Sequence, residues 1–377
     1  MAENRKNVRI VIIFLFFIAY FLISARPVPR ETILSPKWIS SLEAEAPLPA
    51  DSTENPSRQF VHFTLGNRFG YVDSSGQFAV NRIKTGDIYL GENMWTEHAS
   101  EPSIIEIKNI SQETVIKIEN AGGYPVFLDN RVFIFGSEQN ELSEIGADGD
   151  ILWTYEFGAP LTCIDAAAGL VLTGSLDGVI EILDSGGNRI FYFEPGGSRL
   201  AVILGCAVSR NGSRIGIISG INQQRFLLLE RFGDTGGDYR VVYHEFLETG
   251  FRRPVRVSFI DEDRRVIFER GGGIGCYNIK SRRGFFIPLD GEITAIDDSG
   301  SQGLFFLIVS HSTRRNELVG IKIPPDRRFG LPTAGIARDA IFMKASFKSD
   351  DVFLGRTGSK LIAGGGTVLI SFELEDK

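Results

Sequence analysis

Four histidines, three cysteines and several acidic pairs are the residues of this 377-residue chain with the chemistry to react or to bind a metal, and none falls into a working arrangement. His62, His98, His244 and His311 are scattered, with no HxH or HExxH spacing to hold a metal or its bound water. There is no GxSxG, so the strand-turn-helix elbow of a serine hydrolase is missing. Two glycine runs, GGGIG at Gly271–Gly275 and GGG at Gly364–Gly366, suggest phosphate loops. Neither leads into a helix or a following Lys-Ser/Thr, so the aligned N–H groups that cradle phosphate are lacking, and both read as turns or bulges between strands. Asp148/Asp150, Asp261/Asp263, Asp297/Asp298 and Asp350/Asp351 fall in turns and are too short to supply the roughly six oxygens that calcium takes. Cys163, Cys206 and Cys276 sit in apolar strand patterns without CxxC spacing. They read as small buried hydrophobes, with one disulfide open to them if two meet across neighbouring units. No catalytic residue, metal or cofactor is expected.

The elements that would position any site are short strands. Gly149 to Asn188 holds four β-patterned runs, Ile151–Phe157, Leu161–Ala166, Leu170–Thr173 and Val179–Leu183, punctuated by Gly158, Pro160, Gly169, Gly174 and Gly178. Four antiparallel strands in about forty residues make one β-propeller blade. Its centre, an apolar strand, a glycine turn and an alternating strand, recurs. The second strand of each copy begins near residues 69, 104, 141, 179, 225, 274, 317 and 367. The drifting period suits blades with variable loops and not a solenoid, whose repeats stack in register. An abundance of Gly (42) and Phe (29) supplies the turns and strand formers this needs. The expected fold is all-β: an eight-bladed β-propeller over residues 59–377, or seven blades if the unit near Ile104 is an insertion. The chain enters mid-blade at Phe60 and lacks an outermost strand after Leu374, so pairing of N- and C-terminal strands would complete a shared blade and hide the sheet edges.

With strands assigned, the arginine pairs of the C-terminal half can be placed. Arg264, Arg265, Arg282, Arg283, Arg327 and Arg328 come to one loop face, and Arg252/Arg253 and Arg314/Arg315 to the other. The six on one face form a candidate interaction surface for an acidic partner, against the alternative of solvated loop charges. The net charge of −7 argues against nucleic acid. The candidate innermost strands, Tyr124–Leu128, Leu161–Asp165, Leu200–Ala207, Val255–Ile260, Glu292–Ile296 and Asp351–Leu354, are mostly apolar, with Asp165 and Glu292 the acids near the axis. That favours a binding module over an enzyme or ligand sensor working in the central channel.

The N-terminus is a separate object. Residues 1–25 combine basic Arg5, Lys6 and Arg9 with the apolar run Ile10–Ile23. They read as a transmembrane signal anchor, with Ile10, Phe14, Phe17, Tyr20 and Ile23 in the membrane, and a cleaved signal as the alternative. The positive-inside rule then leaves the remainder on the extracytoplasmic, periplasmic side of the cytoplasmic (inner) membrane. Residues 26–58, with six prolines, read as an extended tether in which Trp38 and Ile39 dock on the membrane or on the domain.

Asp148-Gly-Asp-Ile-Leu-Trp153, followed by Leu161-Thr-Cys-Ile164, Gly174-Ser-Leu-Asp-Gly178 and Leu183-Asp-Ser-Gly-Gly187, resembles the repeat of quinoprotein-like and WD-repeat-like propellers. The resemblance implies the fold and not the cofactor. Quinone-binding enzymes carry the docking tryptophan in most blades, whereas here one blade matches, and their adjacent cysteine pair is missing. In role the nearest analogues are exported, non-catalytic propellers that act as scaffolds in envelope assembly. The expected partner is an envelope protein or a cell-wall polymer.

Overall fold

In a computed structural model, residues 13–20, 32–43, 58–99, 103–233, 237–248, 250–300, 303–312, 314–323 and 335–376 are described. Among them are eight sheets, seven of at least four strands and one of three. Strands that follow one another within a blade pair antiparallel through short turns, as in Leu161–Phe193, while Gly335–Ile336 adds to the blade of Val257–Pro288 in parallel, beside Arg283–Pro288. The chain divides into two compact units, one of Met1–Ser35 with Leu374–Lys377 and one, Pro36–Glu373, that holds the blades.

Blade 4 is the stretch Gly149–Asn188 largely foretold. Its strands Leu161–Ala167, Leu170–Ser175, Ile180–Leu183 and Arg189–Phe193 lie in chain order from the axis outward. Ile151–Glu156, however, is the outermost strand of blade 3. The unit near Ile104 is a full member, the third strand of blade 2, so eight blades stand and seven do not. Buried apolar side chains between adjacent sheets form the core, for example Leu172, Ile182, Ile203, Ile217 and Leu229 between blades 4 and 5.

Closure follows the expected route. Thr32–Ser41 pairs with Val368–Asp376 as the outermost strand of blade 8. Blade 1 shows three described strands, Phe60–Leu65, Arg68–Asp73 and Phe78–Ile83. The turn at Gly66 lies beside Gly366 in the second-to-third-strand turn of blade 8, so these are the second, third and fourth strands of a blade entered midway. The segment expected as a free tether therefore contributes a strand. Its Pro36 is tolerated because an outermost strand leaves one row of N–H groups unpaired.

Trp153 bonds through Nε1 to Glu144 Oε2 (2.7 Å) and lies over Gly187 of the next blade, where an added Cβ would come within 2.6 Å of the indole. Trp38 repeats the arrangement from blade 8 to blade 1, with Nε1 donating to Ser74 O (3.0 Å) and the ring 2.9 Å from a Cβ built on Gly76. Both glycines close Asp-x-x-Gly turns at positive φ, 77° and 90°. So two blades, not one, carry a docking tryptophan. Trp38 docks on the domain, while its neighbour Ile39 stays 69 % exposed. Trp153→Ala is expected to cost about 2 kcal/mol by loss of this packing. Gly187→Ala should cost a similar amount by backbone strain and collision, and urea midpoints of both variants measure it.

The expected transmembrane helix is not borne out. The described N-terminal helix covers residues 13–20 and includes Phe14, Phe17 and Tyr20, whose side chains are exposed. The eight described residues rise about 12 Å, short of a hydrocarbon core of about 30 Å. No helix of the described residues is long and apolar enough to cross a membrane. Ile10 and Ile23 lie outside the described residues.

Candidate functional site

On the face carrying the first-to-second and third-to-fourth strand turns, blades 5 and 6 enclose a groove of about 450 Å³. Blade 6 supplies one wall through the turn after its innermost strand Val257–Ile260. Asp261, Glu262 and Asp263 there are three successive non-glycine residues at positive φ (57°, 55° and 61°). That conformation is costly for each residue and persists because it is tied down from both sides. The Asp261 carboxylate, buried, takes ion pairs from Arg264 (3.0 Å) and Arg265. Asp263 Oδ2 accepts from Arg210 N of blade 5 at 2.9 Å. The second wall is the third-to-fourth-strand turn with Lys280 and Arg282, and blade 5 adds Arg214 paired with Glu230 at 2.6 Å.

The expected basic surface is thus only partly assembled. Arg264 and Arg282 meet in the groove, while Arg283 is exposed at the start of the fourth strand of blade 6 and outside the groove lining. Arg265 is turned inward, 7 % exposed, because a buried Asp261 demands a cation. Arg327 and Arg328 lie outside the described residues. Nor is the groove purely basic. Arg214, Arg264, Lys280 and Arg282 face Glu230, Glu262 and Asp263. Sequence reasoning missed Arg214 and Glu230, which are cross-strand partners and would have been found by registering the two strands against each other.

The channel side carries a second group. A cavity of about 260 Å³ is bounded by the innermost strands of blades 4 to 7, with Cys163, Cys206, Arg256, Ser258 and Asp298 among its lining. Beside it Asp165, half-buried, accepts from Val208 N (2.7 Å) and Ala166 N (2.9 Å). Burial pushes its carboxyl up to about 6, against the lowering by those two bonds and with help from the charges of Asp298 and Asp129. Asp298 is itself pushed up by the surrounding protein, although its side chain meets solvent. Of the two acids expected near the axis, Asp165 is there. Glu292 is exposed at the start of its strand and approaches Arg253 (3.6 Å). No histidine lines this cavity, and His62 packs edge-on to Tyr71 in blade 1. Among the described residues no cluster of three His, Cys, Asp or Glu is placed to hold a metal.

A family profile described as beta-propeller protein matches residues 1–377. The chain belongs to the beta-propeller protein family. An uncharacterized protein of Treponema pallidum (strain Nichols) is similar to this propeller, 25% identical over 299 residues that span 78% of each chain. Among solved structures, BamB from Moraxella catarrhalis aligns with 90% of the propeller chain and 100% of its own, at a TM-score of 0.57 and 12% identity. The computationally designed Ika8 protein aligns over 84% and 97%, at the same TM-score and 14% identity. At these identities the likeness is one of fold, and the propeller's activity has to be argued from its own surfaces.

Proposed function

We propose that this propeller is a non-catalytic binding module of the quinoprotein-like kind, tethered to a membrane, that engages another envelope protein through the groove between blades 5 and 6. The observation that carries the reading is the charge pairing in that groove. Arg214 and Arg264 are neutralised within the chain, whereas Lys280 and Arg282 are exposed with no ion pair among the described residues. Beside them the outermost strand of blade 5, Tyr239–Phe246, exposes Val242 in the groove lining and Val241 next to it. Exposed cations next to an apolar edge suit a protein surface that brings carboxylates and an aliphatic patch together. The cationic pair would set orientation and on-rate, and the apolar edge would add buried area.

The same reading places the run Ile10–Ile23 in the membrane, supported by the apolar side chains that the helix at 13–20 leaves exposed and by Arg5, Lys6 and Arg9 ahead of it. The propeller then lies outside the cytoplasm. Photocrosslinking in intact cells tests the contact. Lys280→Glu/Arg282→Glu is expected to lower partner capture at least about tenfold, equivalent to roughly 1.4 kcal/mol. Arg314→Glu, on the opposite loop face, should leave it unchanged. Equal capture by the double variant and the wild type would remove the groove from consideration.

A further inference from the structure

Cys163 lies on the innermost strand of blade 4 and Cys206 on that of blade 5, Ile203–Val208. Two hydrogen bonds across the seam bracket them. Thr162 Oγ1 donates to Ile203 O on one side, and Val208 N donates to Asp165 Oδ2 (2.7 Å) on the other. Between these ties Cys163 packs against the core cluster that contains Cys206, whose Sγ reaches back across the seam to Leu172 O of blade 4 at 4.0 Å. The opposing strand makes room for the sulfur. A Cβ built on Gly174 would lie 2.7 Å from Cys163 Sγ and 2.5 Å from Ile203 Cγ2. Both cysteines line the 260 Å³ channel cavity, Cys163 half-exposed to it and Cys206 buried. Cys276, by contrast, is buried within blade 6 and lines no part of it.

We infer that Cys163 and Cys206 are a redox site, a dithiol that closes to a disulfide across the seam between blades 4 and 5 when a small organic disulfide reaches the channel. The thiolate of Cys163 attacks one sulfur of R–S–S–R, forms a mixed disulfide and expels RS⁻. The thiolate of Cys206 then attacks Cys163 Sγ and expels the second RS⁻. Two protein thiols become one disulfide, and their two protons end on two RSH molecules. The order follows from access, since Cys163 is partly exposed and Cys206 is buried. In the dithiol the Cys206 thiol is pushed well up by its interaction with Cys163 and by burial; the burial persists in the mixed disulfide, so the second step is the slow one. Once formed, the link ties neighbouring blades covalently and narrows the channel wall on that side. This inference goes beyond the proposed function and does not depend on it.

The full chain, purified in mild detergent and fully reduced, is incubated with hydroxyethyl disulfide and followed by intact mass and non-reducing peptide mapping. The expected end point is a loss of two hydrogens and a linked peptide pair containing Cys163 and Cys206, reversed by dithiothreitol, with melting raised by a few degrees. Cys206→Ser should instead stop at one stable adduct on Cys163, and Cys276→Ser should behave as the wild type. Circular dichroism establishes that each variant is folded. A wild-type end point with a lasting adduct on Cys163 and no linked peptide would overturn the inference. So would a folded chain that stays reduced while its urea-unfolded form reacts.

Discussion

A chain that starts at residue 31 is expected to unfold in urea at the midpoint of the full chain, and one that starts at residue 44 to lose at least about 5 kcal/mol or fail to fold. The difference is the strand Thr32–Ser41 and the residue that ends it. Leu42, 1 % exposed, is set in a cluster with Phe63, Leu65, Val72 and Phe78 of blade 1 and Ile362 and Leu369 of blade 8. Its N–H donates to Thr367 O (2.8 Å), and its carbonyl accepts from Asn81 Nδ2 (2.9 Å). Trp38 docks on blade 1, and Lys37 pairs with Glu373 at 3.0 Å. The exposed ion pair adds little. Burial of Leu42 and Trp38 is worth about 2–3 kcal/mol each, and removing the strand also exposes the edge of Val368–Asp376 to water and to other chains. A loss of that size is comparable to the whole stability of many domains. Leu42→Ala isolates one part and should cost about 3 kcal/mol. Tryptophan fluorescence in urea reads all three. If the chain from residue 44 unfolded at the full-length midpoint, the ring would not depend on this closure.

The second large effect concerns pH. Asp165 has a carboxyl pushed up to about 6 in the fold from an ordinary 3.8. Between those values the folded chain binds more protons at this site than the unfolded chain. The folded state is therefore favoured at the acid end, and the advantage is lost as pH rises through about 6. The full swing is up to about 3 kcal/mol, reduced because the side chain keeps partial contact with water. Asp298 shifts in the same direction and adds to the slope. Asp165→Asn removes the charge and keeps one acceptor, which can hold Val208 N or Ala166 N but not both. It should stabilise the propeller by about 1 kcal/mol at pH 7.5 and lose that advantage near pH 5. Urea unfolding of both proteins at the two pH values decides it. Parallel pH dependences for the two proteins would mean that Asp165 is not the titrating group.

Much of this architecture was readable from residues. Six innermost strands follow from apolar runs bounded by glycine or polar turns, and all six lie where expected. Asp87–Leu90 escaped because it is short and only half-buried, so its pattern is weak. Thr32–Ser41 escaped for a different reason. It alternates poorly, carries Pro36, and is a strand only because Val368–Asp376 offers it a partner. Contacts that distant in sequence leave no local signal. The groove was half legible. Arg264 and Arg282 came to one face by counting turns, but pairing is a property of neighbours in space. The inward turn of Arg265 became visible only once Asp261 was found buried beneath it. The meeting of Cys163 and Cys206 depends on a register between blades that neither strand encodes alone.

Among the described strands, the one that seals the ring is the first to be synthesised and its partner is the last. During translation Thr32–Ser41 must wait, unpaired, while nearly the whole chain emerges, because Val368–Asp376 does not yet exist. Ring closure is accordingly a late, non-local event, slower than the hairpins that build each blade. A stalled or truncated product would expose two complementary edges, each able to pair with another copy. The seal thus forms only once Val368–Asp376 has emerged.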